Sequence, residues 1–330
     1  MTPRFHPLRI AEVRRETPEC VSLKFDVPAG LADEYRFTQG QHLALRATLD
    51  GEELRRSYSV CSGCDDGELR VAVKKVPGGR FSVWANEALR PGDAIDVMTP
   101  EGRFFTPLDP AHEKHYVAFV AGSGITPVLS LIRTTLAREP RSRFTLVYGN
   151  RASGTVMFRE ELAALKDRYL ARFNLVHVLS REAHDLPLLH GHIDRAKADA
   201  LLAHWVPLPA IDTAFVCGPE GMMDAVVAAL QARGFPEARI KVERFAASIP
   251  KHAHVAHRPP EPGHAECEVT EVAPARIDFR VPVVGQFQRC VGAFGRGHED
   301  EGEAALFVVV APLLDKAEFV DEEVEGLIQV

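Results

Sequence analysis

Short apolar runs separated by turn residues fill the first third of the chain. Such runs at modest spacing are typical of an antiparallel barrel. Asp50-Gly51 separates two of the runs and predicts a hairpin. The predicted strands cover residues 8–14, 21–27, 43–48, 54–60, 69–76 and 94–98, with one helix near 81–88. We therefore expect a small antiparallel β-barrel over residues 1–109.

The pattern changes after Pro110, where apolar strands alternate with amphipathic helices. Strands followed by helices predict a parallel sheet that is covered on both faces. The predicted strands are 116–121, 144–149, 173–179, 213–217 and 240–243, and the predicted helices are 127–137, 160–169, 194–202 and 220–233. The expected fold class is thus a β-barrel followed by an α/β domain over residues 110–247.

The remainder of the chain is less regular. Residues 248–264 are rich in proline and histidine, which favours an extended connector over a metal site at His252, His254 and His257. Residues 265–330 contain strand-like runs at 276–284 and 306–310 between acidic segments, and their fold is left open.

Composition excludes several classes of function. The chain has 330 residues and a net charge of -7, so it lacks the basic surface of a nucleic-acid-binding protein. It has neither the apolar core of a signal peptide nor an apolar run of about 20 residues, so we expect a cytoplasmic protein without membrane contact. Its 6 cysteines are scattered, and we interpret the spacing of Cys61 and Cys64 as coincidence, because no second pair completes a zinc site.

Two motifs in the predicted barrel suit a flavin dinucleotide. In Arg56-Ser57-Tyr58-Ser59, the guanidinium suits a pyrophosphate and the flat tyrosine ring suits a flavin face. Gly78 to Ser82 forms a glycine turn before a helix, whose free N–H groups suit a second phosphate. Each motif can also be explained without a ligand. The first would then be an ordinary edge strand, and the second an ordinary loop before a helix.

The α/β domain carries a second set of motifs at the ends of its strands, where ligands of such sheets bind. Gly122-Ser123-Gly124-Ile125-Thr126-Pro127 joins a strand to a helix and suits a pyrophosphate. Arg151 and Arg181 follow the next two strands and suit a ribose 2′-phosphate, although a solvated loop is the commoner place for an arginine. Cys217-Gly218-Pro219 ends the fourth strand, where the cysteine could also be a small buried residue.

Taken together and in order, these motifs resemble the ferredoxin–NADP reductase superfamily over roughly residues 5 to 247. The continuation Glu220-Gly221-Met222 and the closing Glu243-Arg244-Phe245 also match. The resemblance implies that the barrel binds FAD, that the α/β domain binds NADPH or NADH, and that hydride passes between them.

A closer resemblance is to the reductase subunits of bacterial phenylacetyl-CoA epoxidases. It rests on residues 243–245, 248–252 and 262–269. That family passes electrons from NADPH through FAD and a [2Fe–2S] cluster to a di-iron oxygenase. The implied partner is therefore a di-iron epoxidase complex, or a ferredoxin that accepts the electrons.

The last part of the chain departs from that family. The family's third domain is a plant-type ferredoxin with a Cys-x4-Cys-x2-Cys run, whereas only Cys267 and Cys290 follow residue 264 here. A change of reading frame near residue 270, loss of the metal by divergence, or a cluster supplied by a partner would each explain this. The abrupt loss of likeness favours a change of frame. No metal ligand is assigned in this chain.

The resemblance implies a role for each matching residue. Tyr58, Ser59 and Cys217 are expected beside the reacting rings. The cofactor-binding residues are expected to be Arg56, Ser57, Tyr58, Ser59, Gly79, Ser82, Gly122, Gly124, Ile125, Thr126, Pro127, Arg151, Arg181, Cys217, Gly218, Pro219 and Phe245. Two alternatives stay open, a flavin reductase or oxidase that reduces oxygen or a soluble carrier, and a non-catalytic assembly protein.

Overall fold

The computed structural model describes residues 4–245 and, separately, the backbone of two short strands. These strands, Cys290–Gly292 and Val309–Ala311, pair antiparallel, and the second overlaps the strand-like run predicted at 306–310. The predicted linker 248–264 and the run 276–284 lie outside the described residues. Residues 4–245 belong to one compact unit, and the two short strands belong to another.

Six antiparallel strands form the first sheet, in the spatial order β4-β3-β6-β1-β2-β5. A bridge between Val60 and Val71 joins the two edge strands, so the sheet closes on itself as predicted. The strands are β1 Phe5–Thr17, β2 Cys20–Asp26, β3 His42–Leu49, β4 Glu52–Ser59, β5 Leu69–Lys74 and β6 Ala94–Met98, and helix α1 spans Arg80–Glu87.

The hairpin between β3 and β4 forms where the sequence predicts it. Leu49 pairs directly with Glu52, which leaves a turn of two residues. Asp50 and Gly51 both have positive φ, at 53° and 79°, as a type I′ turn requires. The turn fixes the register of β4, and thereby which of its side chains share a face.

Five parallel strands form the second sheet, in the order β11-β10-β7-β8-β9. The strands are β7 His115–Ala121, β8 Arg143–Asn150, β9 Phe173–Leu179, β10 Thr213–Cys217 and β11 Ile240–Glu243. The helices are α2 Ile125–Arg138, α3 Arg159–Arg168, α4 Arg195–His204 and α5 Glu220–Ala232. In the described part of the chain, no helix is long and apolar enough to cross a membrane. The predicted α/β architecture is confirmed.

The strand order places a crevice between β7 and β10. From β7 the chain moves to β8 and β9 on one side, and then returns to β10 on the other side. The connections after β7 and β10 therefore diverge to opposite faces of the sheet. Such a switch point, at the carboxyl ends of the strands, is where parallel sheets bind ligands.

A continuous hydrophobic core joins the barrel to the parallel sheet. Cys61 and Phe104 of the barrel side belong to the same buried cluster as α2 and one face of the sheet. The rings of Phe104 and Phe215 meet edge to face, with their centroids 5.4 Å apart. The two sheets are thus packed against each other by buried apolar contacts.

A buried carboxylate secures the connection between the two sheets. Glu139 is fully buried and accepts hydrogen bonds from Tyr116 Oη at 2.9 Å and Ser142 Oγ at 2.7 Å. The connecting segment adds the Asp109 N–H at 3.0 Å and His112 Nδ1 at 2.7 Å. Burial acts to raise the pKa of Glu139, but these hydrogen bonds outweigh burial and lower it.

Replacing Glu139 by Gln should lower the free energy of unfolding by about 2 kcal/mol, because the amide NH2 cannot accept from the donors that it faces. In the wild type the folded state lowers the pKa of Glu139. The stability that its carboxylate contributes is therefore fully present above the unfolded-state pKa of about 4.3, and it is lost as the pH falls through the folded-state pKa. Urea unfolding at pH 7 and at lower pH measures both effects. The neighbouring exposed Glu113→Gln is the control, with a change below about 0.5 kcal/mol; equal effects of the two changes would contradict this account.

Candidate functional site

A cavity of about 600 Å³ lies at the switch point, at the carboxyl ends of the parallel strands. The residues that line it come from the connections after β7, β8, β9 and β10, and also from the barrel. Those in the last positions of the strands or just after them include Ala121, Gly122, Ser123, Gly149, Asn150, Arg151, Ser180, Gly218 and Pro219. The position and size of the cavity suit a dinucleotide.

The glycine-rich turn after β7 is shaped by close packing. A Cβ atom on Gly124 would lie 2.2 Å from the carbonyl oxygen of Cys217, so only glycine lets the turn approach the end of β10. Gly122 has a φ of 55°, a left-handed conformation that favours glycine. Helix α2 begins directly after this turn, which places the positive end of its dipole at the cavity and favours a pyrophosphate there.

The three residues after this turn lie in the protein interior. Ile125, Thr126 and Pro127 are buried and do not line the cavity. The Thr126 hydroxyl donates a hydrogen bond to the carbonyl oxygen of Ser123 at 3.0 Å. Sequence reasoning expected these residues to contact the ligand, whereas Ser123, which it did not single out, lines the cavity.

At the end of β10 the backbone, not the thiol, faces the cavity. Cys217 is fully buried, and burial raises the pKa of its thiol. Gly218 and Pro219 line the cavity, and a Cβ on Gly218 would lie 3.0 Å from the Ala121 nitrogen. A direct contact between the Cys217 sulfur and a ligand therefore requires a neighbouring group to move.

The barrel contributes two charged residues that sequence reasoning missed. Glu19, in the turn between β1 and β2, and Lys74, at the end of β5, both line the cavity. The Lys74 ammonium lies 3.7 Å from the position of a Cβ on Gly122, so its charge sits beside the glycine-rich turn. No local signal could have found Lys74, because only tertiary packing brings the end of β5 to the second sheet.

Two arginines follow the ends of β8 and β9, close to the cavity. Arg151 and Arg181 are exposed, and the Arg181 N–H donates to the Arg151 carbonyl oxygen at 2.8 Å. Within residues 4–245 neither side chain has a carboxylate within 4.0 Å. Arg151 and the neighbouring Ser180 line the cavity, whereas Arg181 stands beside it.

The flavin motif lies on β4. Arg56 and Tyr58 are two residues apart and share one face of the strand. The Tyr58 ring packs on Phe81 of α1, with the centroids 5.7 Å apart, and burial raises the pKa of its hydroxyl. Arg56 Nη1 donates only to the Arg55 carbonyl, at 2.7 Å, and no carboxylate within residues 4–245 pairs with it. A partly exposed guanidinium beside an aromatic ring fits a flavin dinucleotide.

The second predicted phosphate site is the turn at the N-terminus of helix α1. The Ser82 hydroxyl accepts from the Val76 N–H at 3.1 Å and donates to the Gly79 carbonyl at 3.1 Å, so it stabilises the turn itself. A Cβ on Gly79 would lie 2.6 Å from this hydroxyl, which explains the glycine. Any contact with a phosphate at this turn is left to backbone N–H groups.

No group of three metal-binding side chains occurs within the described residues. The sulfurs of Cys61 and Cys64 each lie near a different backbone carbonyl, those of Arg70 and Phe37, as expected for unrelated cysteines. The side chains of Cys267 and Cys290, in the part of the chain where the resemblance implies an iron–sulfur domain, lie outside the described residues.

Comparison with known proteins decides the family. Residues 7–106 match the oxidoreductase FAD-binding domain, and residues 119–228 match the oxidoreductase NAD-binding domain. The chain is 48% identical to a component of the 1,2-phenylacetyl-CoA epoxidase of Escherichia coli over 241 residues, which cover 73% of this chain and 68% of that one. The chain belongs to the ferredoxin reductase family of FAD- and NAD-binding oxidoreductases.

More distant relatives share the same two domains. The ferredoxin reductase component of 3-ketosteroid-9-alpha-monooxygenase from Rhodococcus rhodochrous is 36% identical, over 72% of this chain and 64% of its own. The flavohem-like FAD/NAD-binding domain of nitric oxide dioxygenase from Vibrio cholerae superposes with a TM-score of 0.62 at 26% identity, covering 72% of this chain and 98% of that one.

The site is therefore that of a flavoprotein reductase. The barrel binds FAD, and the parallel sheet binds the nicotinamide dinucleotide. The predicted fold, cofactors and reductase class are confirmed, while the role of each single residue stays a prediction.

Lys74→Met should weaken binding of NADP⁺ about tenfold, because it removes a cation beside the pyrophosphate turn. The FAD content should not change. Lys75→Met is a matched control, since Lys75 Nζ pairs with Glu87 at 2.7 Å on the barrel. Titration of the purified flavoprotein with NADP⁺, followed by flavin absorbance, measures both variants, and equal affinities would remove Lys74 from the site.

Proposed function

We propose that this reductase takes a hydride from NADPH and passes electrons to the oxygenase component of a phenylacetyl-CoA epoxidase. The observation that carries the proposal is the 48% identity to a component of that enzyme, which extends across both cofactor domains. The wider family supports an oxygenase or a ferredoxin as acceptor, since another relative is named as the ferredoxin reductase component of a monooxygenase.

In this proposal β4 and α1 hold the FAD. Arg56 binds the pyrophosphate, and the backbone N–H groups after Gly79 assist it at the start of α1, in a turn that Ser82 stabilises. Tyr58 stacks on the isoalloxazine, and Ser59, which is 4% exposed, lies near its reactive nitrogen. Ser57, between Arg56 and Tyr58 on β4, is the remaining FAD-binding residue of this motif. Bound FAD supplies the redox chemistry, accepting a hydride and releasing electrons singly.

The cavity of the second sheet holds the NADPH. The turn from Gly122 to Gly124 and the start of α2 bind the pyrophosphate, and Lys74 neutralises part of its charge. Arg151 binds the 2′-phosphate, with help from Arg181. Cys217 and Phe245 border the nicotinamide, and Phe245 lines the cavity. These groups exclude water and orient the nicotinamide toward the barrel.

The acceptor is tested by reconstitution with purified phenylacetyl-CoA epoxidase oxygenase subunits, NADPH and phenylacetyl-CoA. Formation of the epoxide by this chain and the oxygenase alone would support direct transfer. Failure to form it even with an added ferredoxin, while NADPH still bleaches the flavin, would refute the epoxidase as acceptor.

A second candidate function is a reductase that needs a separate ferredoxin. Only two cysteines, Cys267 and Cys290, follow residue 264, too few for a plant-type cluster. This candidate predicts that epoxide forms only when a [2Fe–2S] ferredoxin is added, and that the purified chain contains no stoichiometric iron or acid-labile sulfide.

Arg56→Ala should lower FAD affinity by more than about tenfold, because it removes the pyrophosphate's charged partner. Arg55→Ala is the matched control, since Arg55 lies on the opposite face of β4 and pairs with Glu53 at 2.7 Å. The ratio of flavin to protein after dialysis measures the effect. Full flavin occupancy in Arg56→Ala would reject this role.

Arg151→Ala should raise the KM for NADPH roughly 10- to 100-fold and leave the KM for NADH nearly unchanged, because only NADPH carries a 2′-phosphate. Steady-state reduction of ferricyanide with each nucleotide measures the two constants, and NADH serves as the internal control. An equal rise in both constants would place Arg151 elsewhere on the nucleotide.

A further inference from the structure

A loop that follows the flavin motif docks onto the helix that follows the pyrophosphate turn. We call residues 61–66, between β4 and β5, the docking loop. Asp66 accepts a hydrogen bond from Arg133 Nη1 of α2 at 2.9 Å. Asp65 accepts from both Nε and Nη2 of Arg138, at 2.8 Å and 2.7 Å. The second pair is bidentate, a geometry that fixes direction as well as distance.

Two neutral contacts show that the docking loop fits α2 closely. The Cys64 N–H donates to the hydroxyl oxygen of Thr134 at 3.1 Å. A Cβ on Gly63 would lie 2.9 Å from the Cβ of Arg133, so a larger residue would push the loop away from the helix. The ion pairs are thus held in place by an interface with little free space.

Helix α3 adds a third anchor through Glu161. This carboxylate accepts from Arg133 Nη2 at 2.6 Å and also pairs with Arg14 of β1. The side chains of Arg133 and Glu161 are 23% and 21% exposed, so solvent screens this pair less than a surface pair. A chain of ion pairs therefore links Arg14 of the barrel to Glu161 of α3, Glu161 to Arg133 of α2, and Arg133 to Asp66 of the barrel.

These contacts lie close in the chain to both cofactor sites. The docking loop starts two residues after Ser59, and α2 starts at the turn that contains Gly122 and Gly124. Arg133 follows Ile125 by eight residues, or about 12 Å along the helix. Any shift of α2 against the docking loop therefore moves the pyrophosphate turn relative to the flavin motif.

We propose that Arg133, Arg138 and Glu161 are positioning residues for hydride transfer, acting by fixing α2 and its nucleotide turn against the flavin-bearing barrel. This inference rests on the proposed placement of the two cofactors. Reacting atoms must approach to about 3–3.5 Å, and a displacement of about 1 Å can lower the rate about 100-fold. Loosening this interface should slow hydride transfer without removing either cofactor.

The experiment uses the FAD-loaded full chain and two variants, Arg138→Asp and Glu161→Gln. Anaerobic stopped-flow bleaching of the flavin at saturating NADPH gives the hydride-transfer rate, which should fall about tenfold in each variant. FAD occupancy and NADP⁺ affinity should stay within about twofold of the wild type, because no cofactor contact is changed.

Hydrogen exchange gives a readout that does not depend on catalysis. Exchange in the docking loop, which includes the Cys64 amide, should accelerate at least about fivefold in both variants, because the loop opens from α2 more often. Exchange in β3 and β6, which carry none of these ion pairs, should not change. An acceleration throughout the barrel would mean general destabilisation and would overturn the proposal.

A charge swap separates positioning from loss of a side chain. The double variant Asp65→Arg with Arg138→Asp restores an ion pair with reversed polarity, and should recover the rate and the slow exchange to within about threefold of the wild type. Arg195→Asp is the control, since it breaks the Arg195–Asp199 pair at 2.9 Å within α4 and should change neither readout.

Three further results would overturn the inference: unchanged rate and exchange in both variants, a loss of cofactor affinity that parallels the rate, or no recovery in the swap. A wild-type protein that binds both cofactors but transfers no hydride would refute the proposed function instead. The exchange data would still decide whether the docking loop is held by these pairs.

Discussion

The contact between Gly124 and the carbonyl oxygen of Cys217 constrains the rest of the site. A Cβ at this position would lie 2.2 Å from that oxygen, so the turn before α2 can approach the end of β10 only through a glycine. Because β7 and β10 are neighbours whose connections diverge, this approach brings the two segments that line the cavity, Gly122–Ser123 and Gly218–Pro219, close together. The nucleotide cavity is therefore set by backbone packing.

The two sheets form a single structural unit because polar and apolar contacts reinforce each other across their boundary. Phe104 and Phe215 meet in a shared core, and the buried carboxylate of Glu139 binds the connecting segment. A buried charge of this kind is tolerated only when it is fully hydrogen-bonded, so the segment has little freedom to move. This rigidity suits a reaction in which two bound rings must meet at a fixed distance.

The sequence identifies the motifs, and the structure adds which contacts some of their side chains make within the protein. Thr126 and Ser82 were expected beside phosphates, yet each hydroxyl binds the backbone of its own turn. Cys217 was expected at the nicotinamide and is fully buried. A motif records which residue types a turn requires, and it does not distinguish a side chain that contacts the ligand from one that stabilises the backbone that does.

The sequence by itself determined the two sheets, the order of their strands along the chain and the glycine turns that we propose for each cofactor, because periodicity and glycine placement act over a few residues. Only the tertiary structure decided that Lys74 reaches the second sheet, and that residues 61–66 dock on α2. Both contacts join segments far apart in the chain, and no local pattern encodes such a distance. They arise when the barrel and the parallel sheet bury their common core.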